Sequence, residues 1–224
     1  MSYIFILISI IFGYIIGSIP TALIIGKFKK GIDIREHGSK NSGATNAGRI
    51  LGRKYFFIVM IIDAIKCIIG ILFSYILFII IFKKYDISVN DYTLALTCAG
   101  TFAMIGHCYP IFAGFRGGKG VATALGYILI TSPICALGVI ITFTIVSLKS
   151  KYISLGSICG SIFTIIYTWV IYFIFGENYS LLFLGLNNSI GFCIITTIFA
   201  LTVILKHIPN IKRLINKCEN KINF

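Results

Sequence analysis

Seven long apolar runs, separated by polar connections, predict seven membrane-spanning helices. A helix needs about 20 apolar residues to cross a bilayer, and the runs 119–132 and 133–149 are near the lower limit. The first run, 2–26, carries no charge, is too long for a signal-peptide core and lacks a small-residue cleavage site, so we expect it to be retained. The predicted spans are 2–26, 54–82, 92–112, 119–132, 133–149, 152–175 and 181–205.

The composition excludes a soluble globular enzyme, a disordered chain and a fibrous chain. Of the 224 residues, 58% are hydrophobic and 12% are charged, whereas a soluble domain carries about 25% charged residues. We therefore predict an all-α integral membrane protein. Its seven-helix transmembrane bundle is expected to form a single domain over residues 1–224.

The basic residues predict the orientation of this bundle, because cytoplasmic loops collect Lys and Arg. Seventeen of the 20 Lys and Arg residues lie in or beside the loops 28–52, 113–119 and 149–154 and the tail 206–224, against Lys83 and Lys84 on the other side. We expect the N-terminus outside and the C-terminus in the cytoplasm. In a membrane protein the net charge of +13 indicates topology and anionic lipid head groups rather than nucleic acid.

The cysteines and carboxylates do not show the spacing of a metal site or of a set of disulfides. The seven cysteines have no C-x-x-C spacing and mostly lie in apolar runs, which is typical of core residues. Seven Asp and Glu residues are too few for a metal-dependent phosphatase or a carboxylate-based hydrolase. No metal and no other cofactor is expected.

The first polar loop, 28–52, is a candidate anion site. Plain loops of this length are uncommon and often functional, although a solvated connection is the alternative. Backbone N–H groups, hydroxyls and amides bind anions, and an arginine binds phosphate with two hydrogen bonds. The candidates are Gly38, Ser39, Asn41, Gly43, Thr45, Asn46 and Arg49.

The second loop contains Arg116-Gly-Gly-Lys-Gly120 before an apolar run, which is typical of a phosphate site at a helix N-terminus. It is not a Walker A loop, because Ala113 replaces the first glycine and Gly120 the hydroxyl residue, so nucleotide hydrolysis is not implied. His107 alone is typical of a hydrogen-bonded structural histidine. The candidate ligands are Gly117, Gly118, Lys119, Gly120 and Thr123.

Two further segments carry candidate residues, each with a simpler alternative. The Ser154 hydroxyl could bind an anion or could donate a hydrogen bond to a backbone carbonyl of its own helix. His207 and Asn210 lie in a basic tail that could instead contact anionic lipid. Asp63 and Lys66 are three residues apart within a span, so a structural ion pair is expected.

Together, these segments predict a cytoplasmic site for a substrate with a phosphate head and an apolar tail. A phosphate or organic-anion transporter is an alternative. However, transporters place their polar groups near the membrane midplane, whereas these lie in loops. A non-catalytic subunit that binds acidic lipid is a third possibility, and it leaves the glycine-rich motifs unexplained.

The motifs resemble those of the bacterial acyl-phosphate-dependent glycerol-3-phosphate acyltransferases, in order and over the whole chain. The first match covers Gly17-Ser-Ile-Pro20, 33–46 and Arg49, and the second covers Gly106-His107, Pro110 and 115–123. The remaining matches are 151–157, His207, 210–214 and Glu219.

The resemblance implies acyl transfer from acyl phosphate to the 1-hydroxyl of sn-glycerol 3-phosphate, at the cytoplasmic face of a bacterial plasma membrane. It implies no cofactor, no nucleic acid and no obligate protein partner, and contact with membrane lipids. The implied catalytic residues are Ser39, Arg49, Lys119, His207 and Asn210. The implied substrate-binding residues are Gly38, Asn41, Gly43, Thr45, Asn46, Gly117, Gly118, Gly120, Thr123 and Ser154.

The chain departs from the family pattern at four positions. Lys40 and Lys217 stand where the family has glycine, Cys67 replaces a glycine, and Pro209 a frequently charged residue. None of these changes removes a candidate phosphate ligand. The base that accepts the proton of the attacking hydroxyl remains open between His207 and a phosphate oxygen of the substrate, with the second slightly favoured because no carboxylate–histidine pair is visible.

Overall fold

The structure is a computed structural model that describes residues 1–176, 180–181, 184 and 186–221. These residues form two compact units, Met1–Tyr127 and Ile128–Phe224. Helices dominate both units, as predicted. The strands among the described residues are one antiparallel pair, Ser180–Leu181 with Leu186–Asn187.

The first unit is built from helices that alternate between long apolar spans and short polar segments. Short 3-10 turns occur at Ile34–Glu36 and Ile111–Ala113. The α4 helix continues as a π-helical turn over Phe78–Phe82, and α6 crosses into the second unit. The helices are α1 (Ser2–Gly17), α2 (Thr21–Lys30), α3 (Ala44–Leu51), α4 (Arg53–Leu77), α5 (Val89–Cys108) and α6 (Val121–Thr131).

Small residues allow α1 to pack directly on α5. A Cβ atom at Gly13 would overlap the carbonyl oxygen of Ala99, and one at Gly17 would overlap that of Ala103. Gly13-x-x-x-Gly17 therefore supports close helix packing, as expected for small residues spaced by four.

The first predicted span is interrupted. Helix α1 ends at Gly17 and α2 begins at Thr21, on either side of Pro20. Proline has no backbone N–H to continue the helical hydrogen bonds, so a break here follows from its chemistry. The combined segment Ser2–Lys30 retains the length and hydropathy of a membrane span.

The second unit contains α7 (Pro133–Ser150), α8 (Ile153–Phe175), α9 (Ile190–Lys206) and α10 (Ile208–Ile215). Helix α8 packs on α7 through Gly156, where a Cβ atom would overlap the Ser147 hydroxyl, and through Gly160, as the second small-residue motif predicts. The predicted start of the last span at 181 is wrong. The strand pair precedes α9, and the Ser189 side chain caps that helix by accepting a hydrogen bond from the Phe192 N–H.

Five helical segments among the described residues are long and apolar enough to cross a membrane. They become six if α9 and α10, which meet at an angle of 51°, are counted as one span. Helix α6 has 11 residues and is about 16 Å long, which is shorter than an apolar core of about 30 Å. Seven spans and the orientation of the termini therefore remain predictions.

The segment 28–52 is not the plain loop expected from its composition. Helix α2 extends to Lys30, and α3 occupies Ala44–Leu51. The irregular part is confined to 31–43. It holds four of the candidate anion ligands of this segment, and the other three lie in α3.

Candidate active site

The side chain of Asn46 organises the first polar loop. It is almost fully buried, and its Nδ2 lies 2.9 Å from the Ile34 carbonyl oxygen, 3.1 Å from that of His37 and 2.9 Å from that of Asn41. Its Oδ1 accepts a hydrogen bond of 2.8 Å from the Ser39 N–H. One amide therefore satisfies backbone groups from four positions of the loop, which fixes the loop conformation.

Two residues of this loop adopt left-handed backbone conformations. Gly38 has φ +60°, and a Cβ atom there would overlap Asn46 Oδ1. Lys40 has φ 56°, a region that costs a residue with a side chain about 1–2 kcal/mol. The loop therefore requires glycine at 38 and carries a conformational cost at 40.

Ser39, Thr45 and Arg49 lie on the solvent side of the Asn46 amide, and all three are exposed. Thr45 and Arg49 are four residues apart in α3 and thus share one helix face. The Arg49 side chain passes close to Gly38, with its Cδ 3.6 Å from the position that a Cβ atom of residue 38 would occupy. A hydroxyl-rich loop and a guanidinium are thus brought together, a combination that suits a phosphate.

Arg35 connects the first loop to the second. Its guanidinium pairs with Asp33 through Nη2 and Oδ2 at 2.7 Å, and its Nη1 donates to the Ala113 carbonyl oxygen at 2.8 Å. The hydrogen bonds from Arg35 lower the pKa of Asp33, so this pair is charged at neutral pH. The sequence interpretation did not single out Arg35, although the D-x-R spacing within the motif was a usable signal.

The second loop is packed against the end of α5. Gly118 N–H donates to the His107 carbonyl oxygen at 3.0 Å, and a Cβ atom at 118 would overlap the His107 imidazole. A Cβ atom at Gly117 would likewise overlap the His107 carbonyl oxygen and the Pro110 ring. Both glycines are therefore needed for packing, whatever their role towards a substrate.

Lys119 and Gly120 immediately precede α6, which places them at a helix N-terminus as predicted. Gly120 has φ +84°, and its carbonyl oxygen accepts a hydrogen bond of 2.8 Å from the buried Thr123 hydroxyl. Thr123, a predicted substrate ligand, thus uses its hydroxyl within the helix start. Lys119 is partly exposed.

In the second unit, three donors converge on the carboxylate of Glu219. The Asn210 Nδ2 and the Ser154 Oγ donate to Oε1 at 2.7 and 3.1 Å, and the Arg213 Nε donates to Oε2 at 2.7 Å. Burial raises the pKa of Glu219, but the hydrogen bonds from Asn210 and Arg213 outweigh this effect and lower it overall. The role of Glu219 was unclear from sequence, and Arg213 was not identified as its partner.

His207 is buried where α9 meets α10. Its Nδ1 lies 2.8 Å from the Val203 carbonyl oxygen, which can only accept, so Nδ1 carries a proton. In the neutral ring the lone pair then lies on Nε2. That tautomer is the one required if Nε2 is to take a proton from a hydroxyl.

Comparison with known proteins identifies the family. The family model described as glycerol-3-phosphate acyltransferase matches residues 7–217. The chain belongs to this family. Proteins named glycerol-3-phosphate acyltransferase from Bacillus subtilis (strain 168) and Fusobacterium nucleatum are 40% and 37% identical over 215 residues. In each case the match covers 96% of this chain and at least 96% of the relative.

The fold of the family is known from solved structures. Two crystal structures of PlsY (YgiH), an integral membrane glycerol 3-phosphate acyltransferase, are 32% identical to this chain and cover 97% of it. The glycerol 3-phosphate form superposes with a TM-score of 0.79 over 96% of that chain, and the lysophosphatidic acid form with 0.76 over 95%. This likeness and the long apolar helices of the chain show that it is a membrane protein.

Two departures from the glycerol-3-phosphate acyltransferase pattern share one backbone feature. Lys40 and Lys217, where the resemblance leads us to expect glycine, have φ values of 56° and 55°. This is the left-handed region that glycine adopts without a steric penalty. A glycine at either position would therefore avoid the steric penalty that the lysine side chain carries.

A groove of about 820 Å³ opens beside α2 in the first unit. Apolar side chains form much of its wall, and Lys27 and Arg35 are its basic residues. None of the sequence-predicted site residues line it. Within the described part of the chain, no three His, Cys, Asp or Glu side chains are grouped so as to hold a metal ion.

Proposed function

We propose that this chain transfers an acyl group from an acyl phosphate to the 1-hydroxyl of sn-glycerol 3-phosphate. The products are 1-acyl-glycerol 3-phosphate (lysophosphatidic acid) and inorganic phosphate, and the reaction is the first acylation of phospholipid synthesis. The principal support is the match to glycerol-3-phosphate acyltransferases over nearly the whole chain.

Arg49 and Ser39 are assigned to the binding of a substrate phosphate. Their exposure beside a loop that Asn46 holds in place supports this role, because a preorganised donor set does not have to rearrange when the anion arrives. The guanidinium of Arg49 offers the two-point contact that phosphate favours. Thr45 adds a hydroxyl on the same face of α3.

Lys119 is assigned to the phosphate that leaves the acyl donor. It precedes α6, where backbone N–H groups and the helix dipole favour an anion. An ammonium at this point stabilises the negative charge that develops on the departing phosphate. A thioester donor has no phosphate on its reacting carbon and would not use this arrangement.

In the reaction, the 1-hydroxyl oxygen of glycerol 3-phosphate attacks the acyl carbonyl carbon, and the bond from that carbon to the phosphate oxygen breaks. Phosphate leaves with its bonding electron pair. The hydroxyl proton passes to Nε2 of His207 or to a phosphate oxygen of the substrate. The hydrogen bond from Nδ1 of His207 to Val203 supports the first route by leaving the lone pair on Nε2.

The site is assigned to the cytoplasmic face of a bacterial plasma membrane, within one domain over residues 1–224. The distribution of basic residues supports this side. No cofactor, nucleic acid or obligate protein partner is part of the proposal. Asn210 and Ser154, which share Glu219, complete the assigned residues.

The proposal is tested by incubating the purified protein in lipid nanodiscs with a synthetic acyl phosphate and glycerol 3-phosphate. Release of inorganic phosphate should require both substrates and should match the formation of lysophosphatidic acid. Phosphate release without acylated product, or no release at all, would exclude the proposed reaction.

A further inference from the structure

Lys66 is a buried cation in the middle of α4, and the proposed mechanism does not use it. Its side chain is 5% exposed. The Nζ atom lies 3.0 Å from each of three partners, namely the Ile19 carbonyl oxygen, Asp63 Oδ1 and His107 Nδ1. The contacts with Ile19 and His107 are hydrogen bonds, and the contact with Asp63 is an ion pair, so all three partners of the ammonium belong to the protein. Lys66 is thus not placed to contact a substrate.

The contact with Lys66 determines the tautomer of His107. Because an ammonium can only donate, His107 Nδ1 accepts, and the neutral ring carries its proton on Nε2. Asp63 Oδ1 is farther from Nδ1, at 3.6 Å. The Nε2 edge of the ring therefore faces Gly118, the residue before Lys119.

His107 contacts the glycine turn in two ways. Its carbonyl oxygen accepts the Gly118 N–H at 3.0 Å, and its ring occupies the space that a side chain at 118 would need. A shift of the imidazole towards Gly118 would therefore displace this residue and, with it, Lys119. Lys66 is the group that holds the imidazole from the other side.

Stability alone does not account for a buried ion pair in a membrane span. Desolvation of both charges offsets most of their attraction, and apolar replacements of similar shape are often neutral or stabilising. Ionisable residues inside spans are usually functional. Here the ammonium also donates to the Ile19 carbonyl oxygen at the break between α1 and α2, which accepts a hydrogen bond from the Thr21 N–H as well.

We propose that Lys66 is a positioning residue that, through His107, sets the geometry of the Gly117–Lys119 turn for phosphate binding. This inference rests on the proposed function, because it assumes that the turn receives a substrate phosphate. Asp63 holds Lys66 in place and balances its charge. The expected defect of a variant is therefore in substrate affinity rather than in folding.

The main test compares Lys66→Met with the charge-balanced double variant Asp63→Asn, Lys66→Met. The single variant leaves a buried carboxylate unpaired and risks misfolding, so the double variant keeps the inference testable. Ile71→Ala is the matched control, since Ile71 is fully buried in the same helix and packs against Gly100 instead. KM is measured for both substrates, with kcat and the melting temperature.

The double variant should raise KM for a phosphate substrate about tenfold, which corresponds to about 1.4 kcal/mol, with a smaller change in kcat. Ile71→Ala should lower the melting temperature and leave both KM values within about twofold. Wild-type KM values in a folded double variant would overturn the inference.

A second measurement does not depend on activity. Amide hydrogen exchange of residues 115–120 should become faster in the double variant and stay unchanged in Ile71→Ala, because only the former removes the contact that holds the His107 ring against Gly118. If the wild type is inactive with acyl phosphate but exchange still responds, the proposed function fails and the positioning contact stands. Unchanged exchange in the double variant would refute the contact itself.

Two replacements at His107 distinguish the effect of losing the ring from the effect of losing the hydrogen-bond acceptor for Lys66. His107→Asn retains an acceptor near Nδ1 for Lys66, whereas His107→Leu removes it. We expect the asparagine variant to recover part of the phosphate affinity that the leucine variant loses. Equal KM values for the two variants would show that Lys66 does not act through the acceptor at position 107.

Discussion

The side chain of Asn46 accepts a hydrogen bond of 2.8 Å from the backbone N–H of Ser39, seven residues earlier in the chain. Through this bond the buried Asn46 amide fixes the backbone position of Ser39. Ser39 is exposed, and its hydroxyl is a predicted catalytic group. The same amide donates to carbonyl groups on either side of Ser39. The first loop is therefore positioned from beneath by one residue.

Replacement of Asn46 should unfold the loop locally. Asn46→Ala leaves buried backbone groups unsatisfied, which costs about 1–3 kcal/mol, so both the melting temperature and the acyl-transfer rate should fall. Asn46→Asp should fare no better, because its carboxylate would face the carbonyl oxygens of Ile34 and Asn41. The exposed Asn220 provides the control, and Asn220→Ala should leave the melting temperature unchanged. A wild-type melting temperature in both Asn46 variants would show that the amide does not hold the loop.

Arg49→Ala should lower kcat/KM at least tenfold without changing the melting temperature. The loss of a charge-assisted contact to phosphate accounts for about 1.5–3 kcal/mol. Arg53→Ala is a matched control, since Arg53 is also exposed and lies four residues further along the chain. Steady-state kinetics at low substrate concentration distinguish the two. If both variants retain normal turnover, Arg49 does not belong to the site.

Much of this architecture could be predicted from the order of residues, because it depends on local chemistry. The glycine spacing at Gly13 and Gly17 predicted close helix packing, and Asp63 and Lys66 form the expected pair. The start of α9 was mispredicted because hydropathy alone does not distinguish an apolar strand from a helix. The true start follows three consecutive polar residues, 187–189, and the last of them, Ser189, caps the helix.

The part that could not be predicted depends on contacts between distant positions. Nothing local to Asn46 indicates that its amide contacts Ile34 rather than a substrate. Likewise, His107 was correctly expected to be structural. Its contact with Lys66 was not predictable, because the two residues are 41 positions apart and lie on different helices. The break at Pro20 was not predicted, and the group that contacts the Ile19 carbonyl oxygen there, the Lys66 ammonium, lies on another helix.

The tail should lose stability in acid because of Glu219. Hydrogen bonds from Asn210 and Arg213 hold its pKa below the ordinary value of about 4.5, so its contribution is complete above that value and is lost as the pH falls through the lowered pKa. Glu219→Gln should therefore melt below the wild type at neutral pH, and the gap should close as the pH falls from about 5 to about 3. Melting curves across this range test the sign. A gap that widens in acid would mean that the carboxylate is not stabilised by these donors.

A native cysteine reports the orientation of the tail. Cys218 is exposed, Cys159 is partly exposed, and the other five cysteines are buried. If the tail is cytoplasmic, an impermeant maleimide should label Cys218 only after the cells are opened, and Cys218→Ser should remove that signal. A Lys84→Cys variant, predicted to lie outside, should be labelled in intact cells. Labelling of Cys218 from outside would reverse the proposed topology.

The most direct test of the proposed reaction is a donor comparison in nanodiscs. The purified protein is given glycerol 3-phosphate with either acyl phosphate or acyl-CoA of the same chain length, and lysophosphatidic acid is measured. We expect product from acyl phosphate and little from acyl-CoA. Lys119→Ala should remove most of this activity, and Lys119→Arg should restore only part of it, because a planar guanidinium does not replace a compact ammonium. Robust transfer from acyl-CoA with acyl phosphate inert would contradict the account.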